Sequence, residues 1–308
     1  MRMNGLSAKT KTKIGKLSFY ICLIILPLLQ FLLFYLYVNI NSFILAFQNY
    51  DVFTNTASFA GWDNFRKIYT ELIEPGKFEV MLKNSLTVWL WSTVLGIVGA
   101  ILFSYYIYKQ GPLSNLFRTI LYMPHVISTV VLVVMFKYFS EWGIPAIYES
   151  ITGRLIDGLY SNPDTAFPTV VFYSLWMGFG TQVLMYVSTM AGIDVSISEA
   201  AKIDGITYIK EFWYITLPLV FPTLTTFILT GIAGIFTNQA NLFSFGSTGV
   251  SGDMQTIGYY MYKELQINAT NKTAWPMLSA MGLLFTFIVA PITFLVRWAL
   301  KKYGPRVD

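Results

Sequence analysis

The chain has few charged residues for its length. Of its 308 residues, 12% are Asp, Glu, Lys or Arg, whereas 55% are hydrophobic. Ordinary globular chains carry about 25% charged residues. So little charge cannot cover a soluble surface of this size, but a lipid environment needs none. The composition therefore excludes a soluble enzyme and indicates a membrane protein.

Cysteine and histidine are nearly absent. Cys22 is the only cysteine, which excludes a disulfide within the chain, and its apolar neighbours predict a small buried hydrophobe. His125 is the only histidine, and neither a second metal ligand nor a nucleophile–base pair accompanies it. Because it follows Pro124 at the start of an apolar run, we expect an interfacial hydrogen-bonding residue rather than a proton carrier.

Six apolar runs are long enough to cross a bilayer, which takes about 20 helical residues. Lys137 and Arg297 are the two fully charged residues within them, each near a run end where its side chain can reach the interface. The alternation expected of β-barrel strands is missing. We therefore predict an all-α membrane protein with six transmembrane helices. Their predicted bounds are 17–38, 86–108, 120–138, 168–191, 217–236 and 277–300.

The first run is preceded by basic residues, as a signal peptide would be. It is longer than the apolar part of a normal signal peptide, and no small-residue cleavage site follows it. We expect it to remain as an anchor.

The distribution of charge predicts the orientation. With both termini in the cytoplasm, the inner segments together with Arg297 near the last membrane exit hold 13 of the 21 Lys and Arg and 5 of the 16 Asp and Glu, a net charge of +8 that leaves −3 outside. Cytoplasmic segments carry the excess of Lys and Arg. We therefore expect an N-in/C-in protein with cytoplasmic tails 1–16 and 301–308 and a single transmembrane domain, 17–300.

The inner loop between the fourth and fifth predicted helices, 192–216, is acidic where Lys and Arg are expected. Ser196 followed by Glu199 forms a capping box, which predicts the start of a helix. Glu-Ala-Ala-Lys favours its continuation, and Asp204 with Gly205 supplies the turn that ends it.

A second short helix, with Phe212 and Trp213 on one side, is expected after this turn. Pro218 is then expected to open the fifth transmembrane helix near its first turn, where a missing N–H costs least. The loop is predicted to be a helix–turn–helix at the cytoplasmic membrane surface.

The stretch from Glu199 to Pro218 resembles the signature loop of permease subunits of binding-protein-dependent ABC importers. The family pattern is Glu-Ala-Ala, three residues, Gly, nine residues, Ile-x-Leu-Pro, and every element stands at its expected spacing. Three further segments resemble the carbohydrate-importing branch, near its oligosaccharide-type members: 61–65, 84–85 and 117–128. The stretch 246–252 departs from the Gly-Gly-Pro form common there.

The resemblance implies a type I ABC importer permease fold in a bacterial plasma membrane. In this family the loop helix docks on a cytoplasmic ATPase subunit, and the residues that would make the contact here are Glu199, Ala200, Ala201, Asp204 and Gly205. Small alanines suit close packing, and a carboxylate suits a basic partner. Glu199 as a capping residue only, and Asp204 as a turn residue only, remain alternatives.

The chain contains no Gly-x4-Gly-Lys-Ser/Thr phosphate loop. We therefore expect it to be no enzyme and to hold no cofactor or metal, with ATP and Mg²⁺ bound by partner subunits. The resemblance implies two ATPase subunits, a second and different permease, and an extracytoplasmic solute-binding protein. No nucleic acid partner is expected.

Small and polar residues recur every three or four positions along the predicted fifth helix and so share one face. This stripe could line a hydrated path or let two helices approach closely, and both interpretations remain open. Asn238 and Gln239 add amides at its outer end. The stripe consists of Thr223, Thr226, Thr230, Gly234, Thr237 and Asn241.

On the predicted fourth helix Gln182, Tyr186 and Thr189 share a face, and Tyr173 and Trp176 lie nearer the outside. An amide within a span is costly without a partner, which favours a function for Gln182. For the two aromatic residues an interfacial belt is the alternative. The candidate pathway residues are Gln182, Tyr186, Thr230, Thr237, Asn238, Gln239 and Trp176.

These observations predict a permease subunit that forms half of the translocation pathway for a carbohydrate, with an oligosaccharide favoured. The same architecture carrying another uncharged or phosphorylated solute is the alternative, although spans with charged residues only near their ends disfavour a strongly charged one. A secondary transporter or channel would need coupling carboxylates in the spans, and a membrane enzyme would need a catalytic constellation. The sequence has neither.

Overall fold

The structure is a computed structural model that describes residues 8–51, 54, 56–72, 76–246 and 250–305, with only the backbone described for 8–14, 71 and 72. The two chain ends, and residues 247–249 of the glycine-rich stretch, lie outside the described residues.

Six helices in the described chain are long and apolar enough to cross a membrane, which confirms the predicted fold class. They are α1 (Gly15–Ala46, with helical backbone from Ala8), α3 (Lys77–Tyr108), α5 (Thr129–Thr152), α6 (Pro163–Ala191), α8 (Tyr208–Ala233) and α11 (Trp275–Tyr303).

Shorter elements connect them. A hairpin is formed by β1 (Gln48–Asp51) and β2 (Thr56–Phe59). The five shorter helices are α2 (Asp63–Leu72), α4 (Ser114–Tyr122), α7 (Val195–Ile203), α9 (Leu242–Phe245) and α10 (Ile257–Ile267).

The third membrane helix differs most from its predicted bounds of 120–138. The apolar run is interrupted at Pro124, where a 3₁₀ turn, Met123–Val126, is followed by extended backbone at Ile127. Proline lacks the N–H that a continuous helix needs at this point. The run is therefore divided between α4 and α5, and α5 continues to Thr152 because helical hydrogen bonding extends beyond the apolar residues.

The fifth membrane helix is continuous from Tyr208, so the predicted second short helix is joined to it rather than separate from it. Phe212 and Trp213 lie in a π-helical turn, Phe212–Thr216, that follows the short α-helical stretch Tyr208–Glu211. Pro218 lies, as predicted, in the first turn of the α-helical part that follows, Leu217–Ala233. A proline inside a helix cannot donate to the carbonyl four residues earlier, and π-helical turns are a common place for such interruptions.

Cys22 is exposed on α1, which contradicts the prediction that it is buried. An 18-residue apolar stretch of α1 has no residue buried inside the chain, although Ala46 at the end of the helix is buried. A helix that is apolar all round exposes every face to its surroundings when nothing from its own chain covers it.

The described contacts divide into two compact units, 1–70 with 268–284 and 71–267 with 285–308. In the first unit β1 pairs antiparallel with β2, with Gln48 opposite Phe59. The buried Asn64 donates from Nδ2 to the carbonyl oxygens of Ala46 and Gln48, at 2.9 and 2.7 Å. These bonds fix the start of α2 against the end of α1.

In the second unit α3 and α6 contribute to both hydrophobic clusters. One cluster includes Tyr173 and Phe245, and the other includes Met190 and Phe212. The Ser104 hydroxyl on α3 donates to the carbonyl oxygen of Val183 on α6 at 3.0 Å. This pair of helices is the framework on which the candidate site is built.

Candidate functional site

The helix of the signature loop, α7, begins at Val195 with Asp194 as its N-cap. The Asp194 carboxylate accepts the backbone N–H of Ser196 at 2.9 Å, and this hydrogen bond lowers the pKa of the carboxyl group. The prediction that Ser196 is the cap residue is therefore wrong. The cap residue is Asp194, two positions before Ser196, and Ser196 donates its backbone N–H from within the first turn of the helix.

The end of α7 matches the prediction. Gly205 has φ +71°, its N–H bonds to the carbonyl of Lys202 at 3.1 Å, and the N–H of Ile206 bonds to the carbonyl of Ala201 at 2.9 Å. These two bonds are the Schellman arrangement, in which the left-handed residue is usually glycine. Asp204 occupies the C-cap position, in the turn assigned to it.

Four of the five predicted coupling residues lie on the exposed surface of this loop, namely Glu199, Ala200, Asp204 and Gly205. Ala201 is buried and faces the rest of the chain. Within the described residues Glu199 makes no side-chain hydrogen bond or ion pair, including the bond to the helix start that a capping box requires. Its carboxylate is available to a partner.

A partly buried ion pair, not predicted from the sequence, attaches this loop to two membrane helices. Lys109 Nζ, just after the end of α3, contacts Glu211 Oε1 near the start of α8. The Ser198 hydroxyl on α7 accepts from Lys109 Nζ at 3.2 Å and donates to Glu211 Oε1 at 2.9 Å. The exposed fraction of the side chain is 17% for Lys109 and 4% for Glu211.

Tyrosine side chains surround the pair. Lys109 Nζ lies 5.6, 5.2 and 5.8 Å from the ring centroids of Tyr105, Tyr108 and Tyr208. The Tyr105 hydroxyl donates to the carbonyl oxygen of Tyr208 at 2.8 Å, and its ring lies 5.0 Å from that of Phe212. Aromatic faces attract a cation, and the more so when water is excluded.

A cavity of about 240 Å³, half of whose lining residues have polar side chains, lies between α3, α6 and the end of α8. It brings together three of the predicted pathway residues, Gln182, Thr230 and Asn238. Both Thr230 and Asn238 are exposed, so the cavity opens to the surface of the chain on their side. The complete lining is Ser85, Trp89, Ser92, Thr93, Ile97, Gln182, Phe227, Thr230, Gly231, Gly234, Ile235 and Asn238.

Several polar atoms of the lining have no partner. Trp89 Nε1, Ser92 Oγ and Gln182 Oε1 are buried and make no hydrogen bond within the described part of the chain. Buried polar atoms are normally paired, so an indole N–H, a hydroxyl and a carbonyl oxygen left free in one cavity indicate a site that pairs with something else. No charged side chain lines the cavity.

Glycines set the width of the cavity. A Cβ at Gly231 would lie 2.7 Å from the hydroxyl oxygen of Thr93, across the gap between α8 and α3. A Cβ at Gly96 would lie 3.2 Å from Oε1 of Gln182. The missing side chains of Gly231 and Gly96 therefore let α8 approach α3 and let α3 approach α6 closely, and the polar groups of Thr93 and Gln182 lie at these close approaches.

The segment after residue 250 is hydrogen-bonded to one end of the cavity. Asn84 Nδ2 donates to the carbonyl oxygens of Asp253 and Gln255 at 2.8 and 3.0 Å. The N–H of Ile257 donates to Ser85 Oγ at 2.9 Å, and Thr256 Oγ1 donates to the Asn238 carbonyl at 3.0 Å. Asn84 and Ser85 are thus the anchor of this segment.

The structure does not place the remaining predicted pathway residues in the cavity. Tyr186 is fully buried against Phe227, 5.3 Å between ring centroids, with an unpaired hydroxyl. Trp176 packs 6.0 Å from Tyr173 in an aromatic cluster. Thr237 is exposed and Gln239 half-buried, and both lie beyond the last helical residue of α8.

The predicted polar stripe is not continuous. Because α8 ends at Ala233, Thr237 and Asn241 do not continue its face, and Asn241 has φ +57°. At the other end of the stripe the Thr223 hydroxyl lies 3.0 Å from that of Thr189 on α6, an interface between helices. Thr230 borders the cavity. One end of the stripe therefore packs against another helix, and Thr230 borders the cavity, so each interpretation holds for a different part of the stripe.

His125, between α4 and α5, lies with Nε2 3.0 Å from Thr181 Oγ1 on α6. This contact agrees with the hydrogen-bonding role expected from the sequence.

Comparisons with known proteins agree with this arrangement. A family model described as "Binding-protein-dependent transport system inner membrane component" matches residues 92–308. The Multiple sugar-binding transport system permease protein MsmF of Streptococcus mutans is 22% identical over 281 residues, 91% of this chain and 94% of the relative. The Arabinooligosaccharides transport system permease protein AraP of Bacillus subtilis is 27% identical over 284 residues, 90% and 85% of the two chains.

Among solved structures, the fold is similar to a chain from a bacterial ABC transporter involved in the import of the acidic polysaccharide alginate. The TM-score is 0.75 at 18% identity, covering 96% of this chain and 99% of the other. The likeness establishes the shared fold.

Proposed function

Because this chain belongs to the family of binding-protein-dependent transport system inner membrane components, we propose that it is a permease subunit that forms half of the pathway for an oligosaccharide. The observation that carries the proposal is the cavity between α3, α6 and α8, which has polar but uncharged side chains in its lining and holds Trp89, Ser92 and Gln182 atoms without a partner in the described residues.

The chemistry of the lining favours a carbohydrate. Amides and hydroxyls pair with sugar hydroxyls, and the rings of Trp89 and Phe227 offer apolar faces for a pyranose ring. A phosphorylated or polyamine solute would need an opposite charge, and no lining residue carries one. The names of MsmF and AraP, which refer to sugars and arabinooligosaccharides, support the same substrate class.

Energy is proposed to come from two ATPase subunits that bind ATP and Mg²⁺, since this chain has no phosphate loop of its own. An N-in/C-in orientation places α7 on the cytoplasmic side, where Glu199, Ala200, Asp204 and Gly205 are available for docking. A second permease completes the pathway, and an extracytoplasmic binding protein delivers the solute. A second solved relative is a bacterial alginate ABC transporter in complex with an alginate pentasaccharide-bound periplasmic protein, and it supports delivery by a binding protein.

The test is uptake by the assembled transporter in proteoliposomes. Gln182→Ala and Asn238→Ala each remove an amide from the cavity, and each is expected to lower oligosaccharide uptake about two- to tenfold, the value of one hydrogen bond. Gln266→Ala is the control, because Gln266 is an exposed amide on α10 outside the cavity. Normal uptake by both cavity variants would remove the pathway assignment.

A further inference from the structure

The contact between Lys109, Ser198 and Glu211 holds three segments together through charged groups. Removing two charges from water costs several kcal/mol per ion, and the attraction between the charges seldom exceeds this desolvation penalty. Apolar side chains of similar size would stabilise the same contact at least as well. What the ion pair adds is a fixed geometry, because each charge left alone would be strongly unfavourable.

The three residues form a closed triangle across three different elements. Lys109 follows α3, Ser198 is on α7 and Glu211 is on α8, and each side chain contacts the other two. Ser198 is also the one side chain of α7 that hydrogen-bonds to another helix within the described residues. The loop between α7 and α8 contains Gly205, so without the triangle α7 could pivot about this glycine while α8 stayed in place.

Two of these elements lead directly to the cavity. From Lys109, α3 runs about 24 Å to Thr93, and from Glu211, α8 runs about 28 Å to Thr230, at 1.5 Å per residue. Both Thr93 and Thr230 line the cavity. A displacement of α7 that is carried rigidly by Lys109 and Glu211 therefore reaches two walls of the cavity together.

We infer that Lys109, Ser198 and Glu211 are positioning residues that make α7 move as one body with the ends of α3 and α8, so that movement of the loop is transmitted to the cavity. The inference rests on the proposed function. None of the three residues is in the lining of the cavity. They act by keeping the loop and the two cavity helices in a fixed relation.

The experiment uses the complete transporter in proteoliposomes, and measures both solute uptake and ATP hydrolysis. Lys109→Met breaks the ion pair and is expected to leave ATP hydrolysis in place. The amount of solute taken up per ATP hydrolysed is expected to fall at least about fivefold, which is the lower end of typical coupling between two sites. Reversing both charges, Lys109→Glu with Glu211→Lys, is expected to restore the ratio to within about twofold of the unmodified protein. Lys301→Met is the matched control, since Lys301 is exposed at the end of α11.

Three results have distinct meanings. If Lys109→Met assembles and keeps the normal ratio of uptake to hydrolysis, the triangle is only structural and the inference is overturned. If Lys109→Met fails to assemble, Ser198→Ala decides, because it removes one hydroxyl and leaves the ion pair: a reduced ratio supports the inference and an unchanged one refutes it. If the unmodified transporter shows no ATP-driven uptake, the proposed function fails.

Discussion

Gly205 offers the most direct perturbation of the signature loop. Its φ of +71° is in the left-handed region, and a Cβ built there would meet nothing within 4 Å. Gly205→Ala therefore introduces no clash, and its cost arises from the backbone alone. A non-glycine residue in this conformation costs about 1–2 kcal/mol. That free energy opposes the turn that ends α7 and shifts the loop toward states in which the turn is open.

The assay is amide hydrogen exchange in the whole protein, together with solute uptake by the assembled transporter. The N–H of Ile206, bonded to the Ala201 carbonyl in this turn, reports the opening. A cost of about 1–2 kcal/mol is expected to speed its exchange about 5- to 30-fold if local opening limits exchange. Uptake is expected to fall with it. Gly205→Asn should have the smaller effect, because asparagine tolerates this conformation better.

Gly153 supplies a matched control. It has φ +70°, a Cβ there would also meet nothing within 4 Å, and it caps the end of α5 far from the signature loop in sequence. Gly153→Ala should cause a similar backbone penalty at its own turn and leave uptake unchanged. The reasoning is refuted if Gly205→Ala leaves both the Ile206 exchange rate and uptake unchanged, or if Gly153→Ala lowers uptake equally.

Two further predictions concern the cavity and the start of α7. Gly231→Ala places a methyl group 2.7 Å from the Thr93 hydroxyl and should lower uptake. Gly178→Ala is the control and should not lower uptake, because Gly178 lies on α6 with open space around it. Equal uptake by the two variants would contradict the assigned cavity. Because the Ser196 N–H favours the ionised form of Asp194, its folded pKa lies below the unfolded value. The cap's contribution is therefore present above about pH 4, the ordinary Asp value, and is lost as the pH falls through the lower folded pKa. An NMR titration of the Asp194 carboxyl carbon with a midpoint at or above the ordinary value would contradict this, and Asp194→Asn, which caps without titrating, is the control.

Local signals in the sequence predict local structure well here. The six apolar runs identify six helices because a bilayer permits few other solutions. The turn at Asp204 and Gly205 follows from the conformational freedom of glycine, and it is found where the spacing indicates. The N-cap is misplaced because Asp194 and Ser196 are both good cap residues, and only the backbone conformation at Asp194 distinguishes them.

Contacts between distant residues could not be predicted from the sequence. Lys109 and Glu211 are 102 positions apart, and each reads as an ordinary charge at the membrane surface. Only the packing of α3 beside α8 shows that they form a partly buried pair. The cavity has the same origin, since Gln182, Thr230 and Asn238 lie on segments whose relative rotation a single sequence does not reveal. The end of α8 at Ala233 separates Thr237 from the face on which the residue spacing placed it.

The measurement that tests the central claim most directly is oligosaccharide uptake into proteoliposomes that contain this chain with its second permease and its ATPase subunits. The binding protein is added outside and ATP is enclosed with the ATPase subunits. The account predicts that uptake requires both ATP hydrolysis and the binding protein, and that it stops when either is left out. Uptake by this chain without an ATPase subunit, driven by an ion gradient, would contradict the account.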